Sequence, residues 1–311
     1  MQDNKKIFQI PITDFSFKKI FGTEANKRFV IHFLNCFVSR YTGEVKDVTF
    51  LPTEHYGMSD IQRRVVFDIL CTDQKGRQFI IEMQRANQPE FAERSIFYLS
   101  RAISTSMKKG SSNYRIIPTY SVNILDFEMT EFSNSDECFR VVQFKDQKNR
   151  LLTDKVAIFY LNLCNFAARQ NEVTEEMHIW LNLLKNMQKM DDGDYAAQAP
   201  FFRELMDECR ISNLNTMEKE KYEKSVLEYE DVREAVEYAK KLAAKDAYEE
   251  GLSVGMEKGI EKGIEKGIEK GRLTALQLTA EKLLNRGFSI DDVAQFTGLS
   301  EEQVVEIQKA H

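Results

Sequence analysis

Two carboxylates, Asp68 and Glu82, interrupt short apolar runs, Val65-Val66-Phe67-Asp68-Ile69-Leu70-Cys71 and Phe79-Ile80-Ile81-Glu82-Met83. An unpaired charge among such neighbours is costly, so each acid asks for a partner. Both runs are rich in β-branched and aromatic residues and flank Asp73-Gln74-Lys75-Gly76, which reads as a hairpin. A three-residue loop Gln74-Lys75-Gly76, with Gly76 as its left-handed residue, sets Asp73 against Arg77. Counting back along both strands then brings Asp68 opposite Glu82. Directly opposed residues hold their β-carbons about 5 Å apart on one face of a sheet. Gln84 points to that face too, while Met83 points away and keeps its backbone carbonyl near the pair. A turn shifted by one residue would send the acids to opposite faces, so the inference stands on that loop.

Carboxylates held side by side repel one another and invite a hard divalent cation. Mg²⁺ (or Mn²⁺) takes oxygen ligands, usually one or two carboxylates with waters and phosphate oxygens. A metal held this way polarises a phosphodiester and lowers the pKa of its bound water. Asp68, Glu82 and the Met83 carbonyl are therefore the candidate metal ligands, with Gln84 suited to positioning water or a phosphate oxygen. The alternative for the same residues is a hairpin with unrelated acids at its rim.

The elements that must position this pair can be read around it. Thr13 or Asp14 caps a short helix whose Phe17, Ile20 and Phe21 share a face and which Gly22 stops. An apolar helix through Phe29, Phe33 and Phe37 follows, with His32 inside it as a packed or partly exposed histidine. After the hairpin a helix is expected from about Pro89 to Lys108. Its Phe91, Arg94, Tyr98 and Arg101 recur along one stripe. Arg94 and Arg101 are candidates for backbone phosphates, with Tyr98 stacking beside them; the competing role is packing and local ion pairing. Strands are expected at Ile116–Leu125 and Cys138–Phe144. Helix, helix, strand, strand, helix, strand, strand fits a small mixed sheet with helices packed on it.

Asp68, followed after thirteen residues by Glu82-Met83-Gln84, resembles the D…ExQ variant of the PD-(D/E)xK nuclease core, in which Gln replaces the usual Lys. The wider order is more specific: Asp14…Phe17-Lys18…Phe21-Gly22, Arg63-Arg64…Asp68, Ile81-Glu82-Met83-Gln84, Phe91…Arg94…Tyr98 and Gly110…Tyr114. Together these resemble the Rpn family of recombination-promoting nucleases, also labelled transposases, over roughly residues 10 to 130. The resemblance implies a restriction-endonuclease-like α/β fold and metal-dependent DNA cleavage linked to recombination or mobile elements. It implies Asp68 and Glu82 as metal ligands and Gln84 in the place of the core lysine. Losing that lysine removes a cation that would stabilise charge developing on phosphate. Asp14 is open to a place in the metal shell or to helix capping. Nothing suggests a separate three-acid transposase core, so cutting is better supported than strand transfer.

Four segments differ in texture. Residues 1–150 carry the nuclease-like core, and 151–250 read as helical, ending in a long charged helix. Residues 251–272 hold Gly-Met-Glu-Lys and three copies of Gly-Ile-Glu-Lys, a linker or a helix, since a glycine every fourth residue costs a helix about 1 kcal/mol each. Residues 273–311 form a small helix-turn-helix-like module. Its acidic last helix (Glu301, Glu302, Glu306) suits protein contact or oligomerisation better than phosphate. The cluster Asp191-Asp192-Gly193-Asp194 lacks the spacing of a calcium loop and reads as a linker. The charge of −6 argues against a general nucleic-acid coat protein, though phosphate contacts need only a local basic face. Five scattered cysteines without a CxxC pair support neither a zinc site nor a disulfide framework. With no apolar run long enough to span a membrane, and no secretory leader, a reduced cytoplasmic protein is the simplest reading. The expected partners are DNA and, through the helical tail, a second copy of the chain. The alternatives are a catalytically inactive relative acting as a DNA-binding or protein-interaction scaffold, and an RNA-directed nuclease.

Overall fold

A computed structural model describes residues 6–55, 65–87, 90–106, 115–132, 137–164 and 173–309. Arg63, Arg64 and the Gly110…Tyr114 segment of the family pattern lie outside them. The chain opens with helices α1 (Asp14–Phe21), α2 (Lys27–Phe37) and the single turn α3 (Ser39–Thr42). Thr13, not Asp14, caps α1, its hydroxyl accepting from the Ser16 N–H. Short strands β1 (Val48–Phe50), β2 (Glu54–His55) and β3 (Val65–Val66) lead to the hairpin β4 (Ile69–Asp73) and β5 (Gln78–Gln84). Gly76 takes φ +75° at the turn, and its N–H bonds the Asp73 carbonyl. That is the loop on which the register depends.

A parallel neighbour for β5 needs a crossover. Helix α4 (Phe91–Ser106) supplies it and delivers β6 (Thr119–Leu125) alongside. Strands β7 (Phe139–Gln143) and β8 (Val156–Asn162) complete a six-stranded mixed sheet in the order β1-β4-β5-β6-β8-β7. The β8 strand corrects the boundary at residue 150. It lies within the stretch expected to be helical, yet it inserts between β6 and β7, parallel to β6. Its run Val156-Ala-Ile-Phe-Tyr-Leu161 is buried throughout, as a strand covered on both faces must be.

Helices then follow: α5 (Glu175–Asn186), α6 (Asp192–Ala197), α7 (Pro200–Glu208) and α8 (Thr216–Leu284). The acidic cluster is not a linker. Asp191 caps α6 through the Gly193 and Asp194 N–H groups, and Asp194 returns the bond in a capping box. One sheet face packs Ile69, Phe79, Ile81 and Val122 against α1, α2, α5 and α7, with Trp180 fully buried among Phe21, Phe33 and Phe202. The other face packs Leu70, Ile80 and Ile158 against Phe91, Leu99 and Ala102 of α4. Each such side chain contributes about 1.5–3 kcal/mol of burial, so the hairpin is clamped from both sides.

The chain divides into two compact units, residues 1–236 and 237–311. The long helix α8 runs through the Gly-Ile-Glu-Lys copies without interruption, so the repeat is helical. In the second unit, α9 (Ile290–Thr297) is capped by Ser289, and α10 (Glu301–Lys309) packs with it on Ala280 and Leu284 of α8.

Candidate metal centre

The hairpin register is Ile69↔Ile81, Leu70↔Ile80, Cys71↔Phe79 and Thr72↔Gln78, which continues to Asp73 against Arg77 and to Asp68 against Glu82. At Asp68 the regular ladder stops. The N–H groups of Phe79, Ile81 and Met83 face β4, because those of the alternate residues face β6. A further ladder carbonyl would accept from Met83, but the Asp68 carboxylate takes that bond instead, at 2.8 Å. Reciprocally, the Asp68 N–H donates to Glu82 Oε1 at 3.2 Å. Phe67, the residue that would answer the Met83 carbonyl, donates its N–H to the Thr53 carbonyl. Two carboxylates thus meet at one end of the hairpin.

Burial keeps the pair under electrostatic tension. Glu82 is only 4% exposed and Asp68 is half-buried. Loss of solvent, followed by repulsion from Asp68, pushes Glu82 up to about 8. The Asp68 N–H, Arg94 and Gln84 draw it back down. Burial also raises Asp68, with Asp14 adding repulsion, while the Met83 N–H, Lys18 and Arg85 oppose the rise. Like charges confined in a poorly solvated site cannot both ionise freely. The donors are all hard oxygens, so a divalent ion such as Mg²⁺ fits their chemistry and would relieve the repulsion.

The remaining expected residues are distributed as follows. Gln84 continues the face of Glu82 and donates to its Oε2 at 3.4 Å. Asp14 binds Lys18 at 2.8 Å, and both act on Asp68 from α1. Arg94 acts on Glu82 from α4, donates to the Tyr98 hydroxyl at 3.2 Å and lies 5.0 Å from that ring's centre. Tyr98 is half-buried, edge-on to Phe67. Arg101 follows on the same flank of α4, whereas Phe91 turns into the core against Phe127 and Tyr160.

Three residues were given no role by the sequence. Lys18, quoted there only within the family order, acts on Asp68 from α1. Arg85 acts on Asp68, and its buried Nη1 has no hydrogen-bond partner among the described residues. Asn123 stands beside Glu82 on β6, 2% exposed, with its amide on Ser121 and the Phe159 carbonyl. An asparagine inside Val122-Asn123-Ile124 was the available clue, being a polar residue in a strand buried throughout.

On the side of α1 that carries Asp14 and Lys18, α1 and the start of α8 border a groove of about 590 Å³ of mixed charge, with Lys19, Lys221 and Lys224 set among Glu218 and Glu228. Residues 11–239 match the family model described as a PD-(D/E)XK nuclease family transposase. No curated protein and no solved structure matches the chain.

Proposed function

Because that match spans well over half of its length, the chain belongs to the PD-(D/E)XK nuclease family transposases, and from this premise we propose that it is a divalent-metal-dependent DNA endonuclease acting in recombination or mobile-element transfer. PD-(D/E)XK nucleases generally use divalent ions. Asp68, Glu82 and the Met83 carbonyl would hold the metal, Mg²⁺ or Mn²⁺, with Asp14 able to join through water. When bound, the ion would polarise the scissile phosphate and acidify an attacking water. The observation carrying this reading is the cross-strand Asp68–Glu82 pair, Glu82 buried and Asp68 half-buried, with reciprocal main-chain bonds fixing both carboxylates.

The other residues have roles that follow from charge and position. Gln84 orients Glu82 and presents its carbonyl oxygen to a water. Arg85, with an unpartnered buried nitrogen, and Arg94, already near Glu82, are placed to meet non-bridging phosphate oxygens. Arg101 and Tyr98 would extend that contact along the strand, and Lys221 and Lys224 would meet phosphates in the adjoining groove. Asn123 keeps a neutral, hydrogen-bonded neighbour beside Glu82 where a cation would cancel its charge.

The helical tail is proposed to join two copies. Ile260, Ile264 and Ile268 are exposed in their helix, and added side-chain carbon at the repeat glycines would meet nothing within 4 Å. Among the described residues no helix is long and apolar enough to cross a membrane.

The test is nicking of supercoiled plasmid with Mg²⁺ or Mn²⁺, beside Asp68→Ala and Glu82→Ala. Metal-dependent nicking lost in both folded variants supports the assignment. Cleavage surviving both moves the site elsewhere. Gln84 in the lysine position favours one second reading, an inactive scaffold; DNA binding without cleavage by any metal would select it.

A further inference from the structure

His32 and Cys36 stand one turn apart on α2, and Glu176 enters from the first turn of α5. Side chains at i and i+4 project to the same side of a helix. Cys36 Sγ lies 3.4 Å from His32 Nδ1 and 3.5 Å from Glu176 Oε2. One ligand atom from each of the three falls within 4.8 Å of the others. A tetrahedral zinc ion with Zn–S of about 2.3 Å and Zn–N or Zn–O of about 2.0–2.1 Å separates sulfur from its neighbours by about 3.5 Å. Two of the three ligand edges therefore already have the length that bound zinc requires. The third can close by rotation of Glu176, whose side chain is exposed.

We propose that His32, Cys36 and Glu176 form a second cation site, for a thiophilic divalent ion such as Zn²⁺, with its fourth position left to water. It is chemically unlike the Asp68–Glu82 pair, where every donor is a hard oxygen. The imidazole is held in place by stacking on Phe201, with ring centres 4.0 Å apart and planes 20° apart. Trp180 Nε1 donates to His32 Nδ1 at 3.0 Å, which occupies the lone pair that zinc would take. The same N–H also bonds the Cys36 sulfur, so it can shift fully to the thiolate when the metal enters and displaces the Cys36 proton to solvent, a proton that burial and Glu176 otherwise hold on the sulfur. The ion would tie α2 to α5 across 140 residues of sequence. That separation is why cysteine spacing alone did not announce it. A thiol merely hydrogen-bonded to carboxylate and imidazole is the competing state of these atoms.

The experiment is titration of metal-stripped, full-length protein with Co²⁺ and then Zn²⁺, following absorption, Trp180 emission and thermal melting. Trp180 is the sole tryptophan, so its emission reads this site directly. The variants are Cys36→Ser, Glu176→Gln and Asp68→Ala/Glu82→Ala, each checked for folding by circular dichroism. The expected result is one equivalent of Co²⁺ with a thiolate charge-transfer band, quenched Trp180 emission, displacement by Zn²⁺ and a melting point raised by a few degrees. Cys36→Ser should abolish the band and weaken zinc roughly 10- to 100-fold or more, and Glu176→Gln should weaken it about tenfold. The double acid variant should respond like the parent. A folded parent without the band, a band surviving Cys36→Ser, or a zinc response lost only in the double acid variant would each overturn the proposal.

Discussion

One hairpin carries two buried cross-strand acid sites, and they are opposites. At the turn, Asp73 faces Arg77: Arg77 Nε donates to Asp73 Oδ2 at 2.6 Å, a second guanidinium nitrogen joins the same oxygen, and the Lys75 and Arg77 N–H groups share Oδ1. Arg77 also bonds the Glu44 carbonyl. Every charge there has its answer within the fold. Five residues away, Asp68 faces Glu82, acid against acid in a site only partly closed at Asp68, and the cations that act on the two (Arg94, Lys18 and Arg85) still leave Glu82 raised to about 8. A buried acid is thus a poor sign of function by itself. What separates the two ends is whether the protein neutralises the charge it has buried.

The comparison is broken most severely at the matched end. Arg77→Ala strands Asp73 without its cation and should cost about 3–5 kcal/mol of stability, read by urea unfolding. A loss below about 1 kcal/mol would mean that the pair is not the strut described. Glu82→Gln tests the unmatched end in the reverse sense. Nicking should fall on the order of 10²- to 10³-fold, the scale of losing one preorganised electrostatic group. Metal-free stability should hold or improve.

The pH dependence gives that contrast a sign. Glu82 keeps its proton in the fold up to about 8, whereas an unfolded chain releases it near the ordinary 4.5. Between those values the unfolded state binds fewer protons, so metal-free stability falls as pH rises, by at most about 1.4 kcal/mol per unit for this group. Glu82→Gln should flatten the slope, and a slope unchanged in the variant would exclude Glu82 as its source. Gln84→Lys sharpens the comparison more gently. It places a cation beside Glu82, making the unmatched end more like the matched one. The low-pH limb of the nicking profile should move to lower pH, with a rate change within about tenfold; an unmoved limb would detach Gln84 from Glu82.

Much of this site was legible in the sequence because a single local device sets it. Gln74-Lys75-Gly76 fixes the turn, and the turn fixes the register out to Asp68 and Glu82. What local pattern does not encode was missed. Lys18 and Asn123 arrive through helix packing and parallel pairing, which depend on contacts distant in sequence. The β8 strand shows no alternation, since both its faces are covered, and so it reads as easily as a buried helix. The Asp191 cluster carried a capping box, whose reciprocal bonds need the helix that they start. In the repeat, glycine's helix cost argued for a linker on equal terms, yet the segment is helical, with Glu and Lys recurring through every copy.

That repeat also makes the tail a ruler with interchangeable divisions. Gly-Ile-Glu-Lys recurs without variation from Gly259 to Lys270 inside one continuous helix. Four residues advance a helix by about 6 Å and turn it about 40° beyond a full revolution. Gain or loss of a single copy, the commonest accident of tandem sequence, would therefore move the terminal three-helix cluster along the rod and dial it to a new heading. Neither its own core, built on Ala280, Val293 and Val304, nor the hairpin would be disturbed. Each copy thus counts as one whole step of rise and turn within the tail.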